Sequence, residues 1–179
     1  MILDLVKSND PILRQKCEPF DFENPPTDPF KLAEDLAETM IANKGIGLSA
    51  CQVGLPYRVF VVGDYTQPDD IVAMFNPRIV DYQGDQVLIE EGCLSFPGLF
   101  IKIKRYESIR MRYASPNGVI DTKIFDQIPA RIIQHEYDHM DGILFQKRAN
   151  AYHLDYAKRQ KKKLDKLRQK NMKKGKAYA

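Results

Sequence analysis

Apolar positions along this chain change period twice. Between Thr27 and Asn43, the residues Leu32, Leu36 and Met40, with Ala33 and Ala37 beside them, recur at helical spacing. Asp28 before Pro29 supplies an N-cap followed by a residue whose fixed φ suits a first turn, and Gly45 stops the pattern. The spacing predicts a helix from Pro29 to Asn43. From Tyr57 to about Phe125 the chain reads instead as short β-branched and aromatic runs: Arg58–Val62, Ile71–Phe75, Arg78–Tyr82, Val87–Glu90, Leu99–Ile103, Ser108–Tyr113 and Val119–Phe125. Ser115-Pro116-Asn117-Gly118 joins the last two as a turn, because Pro presets φ and Asn-Gly tolerates positive φ, so that pair is expected to be an antiparallel hairpin.

Helical spacing then returns. Asp126 is placed to cap a second helix from Gln127 to about Asp141, with Pro129 tolerated in its first turn and Gly142 past its end. A third helix, from about Ala151 to Met172, has Leu154, Ala157, Leu164 and Leu167 on a sparse apolar stripe among lysines. Strands grouped between helices without βαβ alternation predict an α+β fold. With no internal repeat and no linker, residues 1–157 read as one domain and 158–179 as a basic helical tail.

Composition narrows the class. A chain of 179 residues, 44% hydrophobic and 28% charged, is globular, and a domain of this size buries about 70% of its unfolded surface. Apolar stretches such as Val59-Phe60-Val61-Val62 fall far short of the ~20 residues of a membrane helix. No basic n-region, long apolar run or cleavage site opens the chain, so the cytoplasm is the expected compartment. Three cysteines, Cys17, Cys51 and Cys93, are an odd number at no repeating spacing, which argues against a disulfide framework and for reduced thiols. The net charge of +3 conceals an asymmetry: eleven Lys/Arg face one acid between Lys158 and Lys176, leaving sixteen basic against twenty-three acidic residues elsewhere. An acidic body with a basic extension is drawn to a polyanion such as RNA. The extension has no aromatic residue between those lysines, so its contacts would go to phosphates.

The chemistry concentrates on the second helix. His135-Glu136-Tyr137-Asp138-His139 matches H-E-x-x-H, and residues four apart on a helix can turn two imidazoles to one cation while Glu136 serves a water as base. A catalytic divalent ion takes a third protein ligand and keeps a position open. The extended motif of one metallopeptidase class would need histidine at position 145, which is Phe145, and no Glu follows Glu136. His153 and Asp155 remain as downstream candidates. Upstream, Cys93 lies in Glu91-Gly92-Cys93-Leu94-Ser95; by itself a single cysteine reads as an apolar filler.

A third segment, Gly45-Ile46-Gly47-Leu48-Ser49-Ala50-Cys51-Gln52, makes the pattern specific. In order along the chain, the three segments resemble the signatures G-x-G-L-A-A-x-Q, E-G-C-L-S and Q-H-E-x-D-H of the peptide deformylase family, with Gln134 completing the last. The resemblance spans about Leu5 to Tyr156. It implies antiparallel β-structure around a central metal-binding helix, and removal of the N-formyl group from the methionine that starts new polypeptides. It implies that Cys93, His135 and His139 hold one divalent metal, natively Fe2+ and replaceable by Ni2+, Co2+ or Zn2+, a choice the thiolate and imidazole ligands leave open. It further implies Glu136 as general base, and Gln52 with the Leu94 N–H as oxyanion donors. Ile46, Gly47, Ile128 and Ile132 are implied around the substrate, the last two beside an apolar methionine pocket. Asp138 is implied to pair with Arg105.

Without the resemblance, Gln52 would simply satisfy backbone groups in its loop, and Ile128 and Ile132 would be core. The chain departs from the family pattern at three places. Ser49 replaces the usual alanine, a change expected to leave the loop intact. Phe100 stands where many relatives carry an arginine that meets the peptide beyond methionine. Asp126-Gln127-Ile128-Pro129 replaces a more usual glycine-containing approach to the histidine helix. For the tail, beyond the resembling span, the family agrees in kind, since some bacterial deformylases bind ribosomes through a C-terminal helix. A bacterial, organellar or viral source fits this reading. Two other classes compete with it: a metallopeptidase built on the same helix, and a non-catalytic metal-binding protein that associates with ribosomes.

Overall fold

A computed structural model describes residues 1–175, with side chains to Asn171; the end of the basic tail, residues 176–179, lies outside the described residues. Asp28 accepts hydrogen bonds from the N–H groups of Phe30 (2.8 Å) and Lys31 (3.3 Å), so α1 (Pro29–Ala42) begins where the Asp-Pro pair predicts. Its apolar face of Leu32, Leu36 and Met40 is buried against Leu48, Val59, Val61 and Phe75.

Those partners sit on a five-stranded antiparallel sheet in the order β1 (Gly47–Ser49), β2 (Val59–Val62), β3 (Val72–Glu91), β4 (Ile101–Ala114), β5 (Ile120–Asp126). Three of the expected runs, from Ile71 to Glu90, are therefore the single strand β3. Register shifts at Phe75/Arg78, Ile79/Asp81 and Gln83/Gln86 interrupt its alternation, and that is why the pattern reads as three strands. At the first shift Asn76 takes φ +48°, and its side chain bonds both the N–H and the C=O of Phe20 at 2.7 and 2.8 Å. The runs Leu99–Ile103 and Ser108–Tyr113 likewise merge into β4, whose odd-numbered residues Ile101, Ile103, Arg105, Ile109, Met111 and Tyr113 are buried. The β4–β5 hairpin closes through Ser115–Gly118 as expected.

Helix α2 (Gln127–Met140) lies on the buried face of β4, where Ala130, Ile133 and Met140 share a core with Ile109, Met111 and Tyr113. Asp126 holds the N-cap position without a side-chain hydrogen bond, and Gln127 takes φ +54°. The turn into the helix is thus left-handed even without glycine, a conformation that costs a non-glycine residue about 1–2 kcal/mol. Helix α3 (Ala151–Gly175) docks its first half, with Leu154 and Ala157 against Leu99, Ile101, Ile103 and Phe145. Farther along, Leu164 and Leu167 are exposed, and Lys161 donates to Pro97 O at 2.8 Å. Among the described residues no helix is long and apolar enough to cross a membrane.

Candidate metal centre

The four-residue spacing of His135 and His139 sets their rings on one face of α2, with centroids 5.2 Å apart. The turn that leaves β3 brings Cys93 to the same point: its Sγ is 3.4 Å from His139 Nε2, and the three potential donor atoms lie within 4.8 Å of one another. The downstream candidates are elsewhere. His153 lies in the first turn of α3, with its N–H on Asn150, and Asp155 pairs with Arg159 at 3.0 Å.

Glu91, to which no role was assigned from the sequence, is the hub behind the cluster. Its carboxylate receives Arg105 at 2.8 and 3.0 Å and Arg131 at 2.6 Å, and it meets His135 Nδ1 at 3.1 Å. Burial alone would raise its pKa, but His135 and Arg105 outweigh burial and hold it at about 2. A carboxylate on Nδ1 fixes the His135 ring and leaves Nε2 toward the centre, the arrangement that supports metal-binding histidines. Burial works to lower the His135 pKa, yet Cys93 and Glu91 carry it up to about 10, so the pocket is one that favours a cation. Burial, with the charges of His135 and Arg105, pushes His139 well below the usual range, toward its neutral, metal-binding form. A soft thiol and two imidazoles fit a divalent transition metal.

Glu136 is buried beside the cluster, and burial raises its pKa. Its Oε2 accepts from Ser49 Oγ at 2.6 Å, and its Oε1 lies 2.5 Å from where a Cβ on Gly47 would stand. Gln52 satisfies a backbone group of its own loop, and its amide nitrogen reaches the donor cluster. Its Oε1 accepts the Ser49 N–H at 2.9 Å, while Nε2 donates to Ser95 Oγ at 3.0 Å and approaches Cys93 Sγ at 3.5 Å. Arg105 also pairs with Asp138 at 2.8 Å, as the family pattern implies, and Arg148 reaches the same carboxylate at 2.6 Å, tying α2 to β4.

The donors open onto a cavity of about 590 Å³. Ile46, Gly47, Ile128 and Ile132 line it, as do Gln52, Leu94, Cys93, His135 and Glu136. His139 lies behind this wall at 1% exposure. The Leu94 N–H has no acceptor among the described residues. Phe100 stands at the rim, 55% exposed, with its ring against Gly92. A second depression of about 650 Å³, between α1 and the β4–β5 turn, holds none of these groups.

A thiol and two imidazoles around one point, with a buried carboxylate beside an apolar cavity, define a metal-dependent hydrolase. Residues 2–154 match the family model described as polypeptide deformylase. A curated relative named peptide deformylase 1, from Clostridium perfringens, is 43% identical over 148 residues, covering 80% of this chain and 95% of that protein. The peptide deformylase of Cytophaga hutchinsonii is 37% identical over 150 residues, with 81% and 80% covered. Among solved structures, a Legionella pneumophila peptide deformylase superposes with a TM-score of 0.82 at 28% identity over 94% of this chain and 98% of that one. A Synechococcus elongatus peptide deformylase in complex with actinonin gives 0.80 at 32% identity, over 87% and 85%. The chain belongs to the polypeptide deformylase family. It is a metal-dependent hydrolase that removes the formyl group from nascent peptides.

Proposed function

We propose that Cys93, His135 and His139 hold one Fe2+ ion and that Glu136, Gln52 and Leu94 carry the hydrolysis of N-formylmethionyl peptides. The observation that carries this reading is the convergence of the three donor atoms within 4.8 Å of one another at a cavity that Glu136 also lines. When bound, the ion supplies Lewis acidity to the formyl carbonyl and lowers the pKa of the attacking water. Glu136 takes a proton from that water and returns it to the amine nitrogen as the C–N bond breaks. Gln52 Nε2 and the Leu94 N–H donate to the formyl oxygen as negative charge develops there. Ile128 and Ile132 offer apolar walls to the methionine side chain, and Ile46 and Gly47 flank the peptide backbone. An Acinetobacter baumannii class I type b peptide deformylase, 33% identical to this chain with a TM-score of 0.75 over 83% of this chain and 98% of that one, was solved with Met-Ala-Ser bound, which supports a methionine-first ligand in the same cavity.

The test is Glu136→Ala. The variant is expected to keep one metal per chain after anaerobic purification and to lose formate release from formyl-Met peptides. Wild-type activity in it would remove Glu136 from the mechanism. Cleavage of internal amides in unformylated peptides would favour the peptidase reading instead, and metal analysis of the same anaerobic preparation tests iron directly.

The catalytic unit in this reading is residues 1–157, working in the cytoplasm, and 158–179 is a polyanion-binding extension that meets ribosomal RNA. The unbroken course of α3 to Gly175 supports a continuous helix through the lysine-rich stretch. Ribosome binding is expected to weaken steeply with salt and to vanish on deletion of 158–179; unchanged affinity after the deletion refutes it.

A further inference from the structure

Strand β5 is one margin of the sheet, with β4 on one side and, among the described residues, no strand on the other. It carries large apolar side chains in open solvent: Ile120 is 57% exposed and Ile124 56%. The hairpin fixes which of its main-chain groups are free. Ser115 N–H donates to Val119 O at 2.9 Å, which makes 115 and 119 a hydrogen-bonded pair. Bonded and non-bonded pairs alternate along an antiparallel ladder, so Asp121, Lys123 and Phe125 bond inward to Tyr113, Met111 and Ile109. Ile120, Thr122 and Ile124 therefore turn their N–H and C=O groups out of the sheet. In agreement, the Thr122 N–H is met only by Asp121 Oδ1 of its own strand, at 2.7 Å. Such a row is a template for another strand.

We propose that β5 docks on the β5 of a second copy of this chain, antiparallel about Thr122. Of the registers that keep outward residues opposite outward residues, the three centred within Asp121–Lys123 overlap the strand most fully. Centring on Asp121 places two Asp121 carboxylates side by side, and centring on Lys123 does the same with two ammonium groups. Centring on Thr122 sets Ile120 against Ile124 and Thr122 against Thr122, and in the closer, non-bonded positions it sets Asp121 against Lys123 on both sides of the dyad. Lys123 is the kind of edge charge that deters an arbitrary strand; the second copy is the strand that brings a carboxylate to meet it. Both side chains are exposed; their ion pair along the strand, at 3.1 Å, is a solvent-screened surface contact that a cross-strand partner can replace. The contact is self-complementary, as a two-fold interface must be, and its small area places it among the weak, concentration-dependent associations.

Sedimentation of the wild-type protein from low micromolar to about 1 mM is expected to show the mass rise from monomer to dimer. Lys123→Asp and Asp121→Lys each set like charges opposite one another twice and abolish that rise. The double variant D121K/K123D restores it, and so does an equimolar mixture of the two single variants, as a heterodimer. Thr122→Pro, which removes an outward N–H while keeping both charged residues, also abolishes it. Unchanged circular dichroism and melting temperature across the set report an intact fold. A wild type that stays monomeric throughout, or a dimer indifferent to the charge changes, overturns the proposal.

Discussion

Ser49 Oγ donates a hydrogen bond of 2.6 Å to Glu136 Oε2, across 87 residues of chain and inside the protein. The hydroxyl that distinguishes this position from the family's usual alanine therefore holds the carboxylate proposed as the base. The loop is intact, as expected of a small-for-small change, but the substitution adds an anchor.

Removing that anchor has a calculable cost. Hydrogen bonds to charged groups contribute about 1.5–3 kcal/mol, so Ser49→Ala is expected to lower unfolding free energy by roughly that amount in denaturant titration. With one carboxylate oxygen released, kcat is expected to drop by up to about tenfold at unchanged metal content. Equal stability and kcat in the two proteins would show the bond to be idle.

Gly47 is required for a steric reason. A methyl group there would stand 2.5 Å from Glu136 Oε1 and 2.9 Å from Ile132 Cγ2, so either the carboxylate or the cavity wall must move. Gly47→Ala is expected to cut kcat/KM by about 100-fold while elemental analysis still finds a full complement of metal. A fully active variant would show that the carboxylate swings aside freely.

Glu91→Gln strikes the hub. It leaves Arg105 and Arg131 buried against a neutral amide and loosens the His135 ring, because all three bond the Glu91 carboxylate. Breaking a buried ion pair costs about 3–5 kcal/mol, and losing the partner of a ligating histidine weakens metal binding about 10–100-fold. Chelator competition reads the second effect and denaturant titration the first. Native metal affinity in a destabilised variant would confine Glu91 to a structural role.

Phe100 stands at the cavity rim, and in the proposed function it offers apolar surface to the residue after methionine. Phe100→Ala is expected to raise KM about tenfold for peptides with an apolar second residue and to leave formyl-Met itself unaffected. Identical shifts for both substrates would place the ring's influence on methionine instead.

Much of this was legible in the sequence, and the misses share a cause. Helices α1 and α2 stand where Asp28-Pro29 and Asp126 announce them, because capping and helical spacing are local. The approach to α2 is less so: Asp126 occupies the cap position without the bond that usually marks it, and Gln127 bears the left-handed turn. Strand β3 read as three pieces because each bulge shifts the inward face by one residue. Strand β1 has three residues and no alternation long enough to register. In the site, the two histidines announced themselves by spacing. Cys93 did so only through the family pattern, since one cysteine has no period. Glu91 drew no notice because Arg105, Arg131 and His135 are 14, 40 and 44 residues away, and only the fold makes them neighbours.

Among the described residues strand β1 has a neighbour on one flank alone, and Gly47 within it lines the cavity. In the proposed function, a guest lying extended along that flank is gripped through peptide amides and carbonyls, atoms that every protein possesses. Selection then falls on the leading side chain and its small acyl cap.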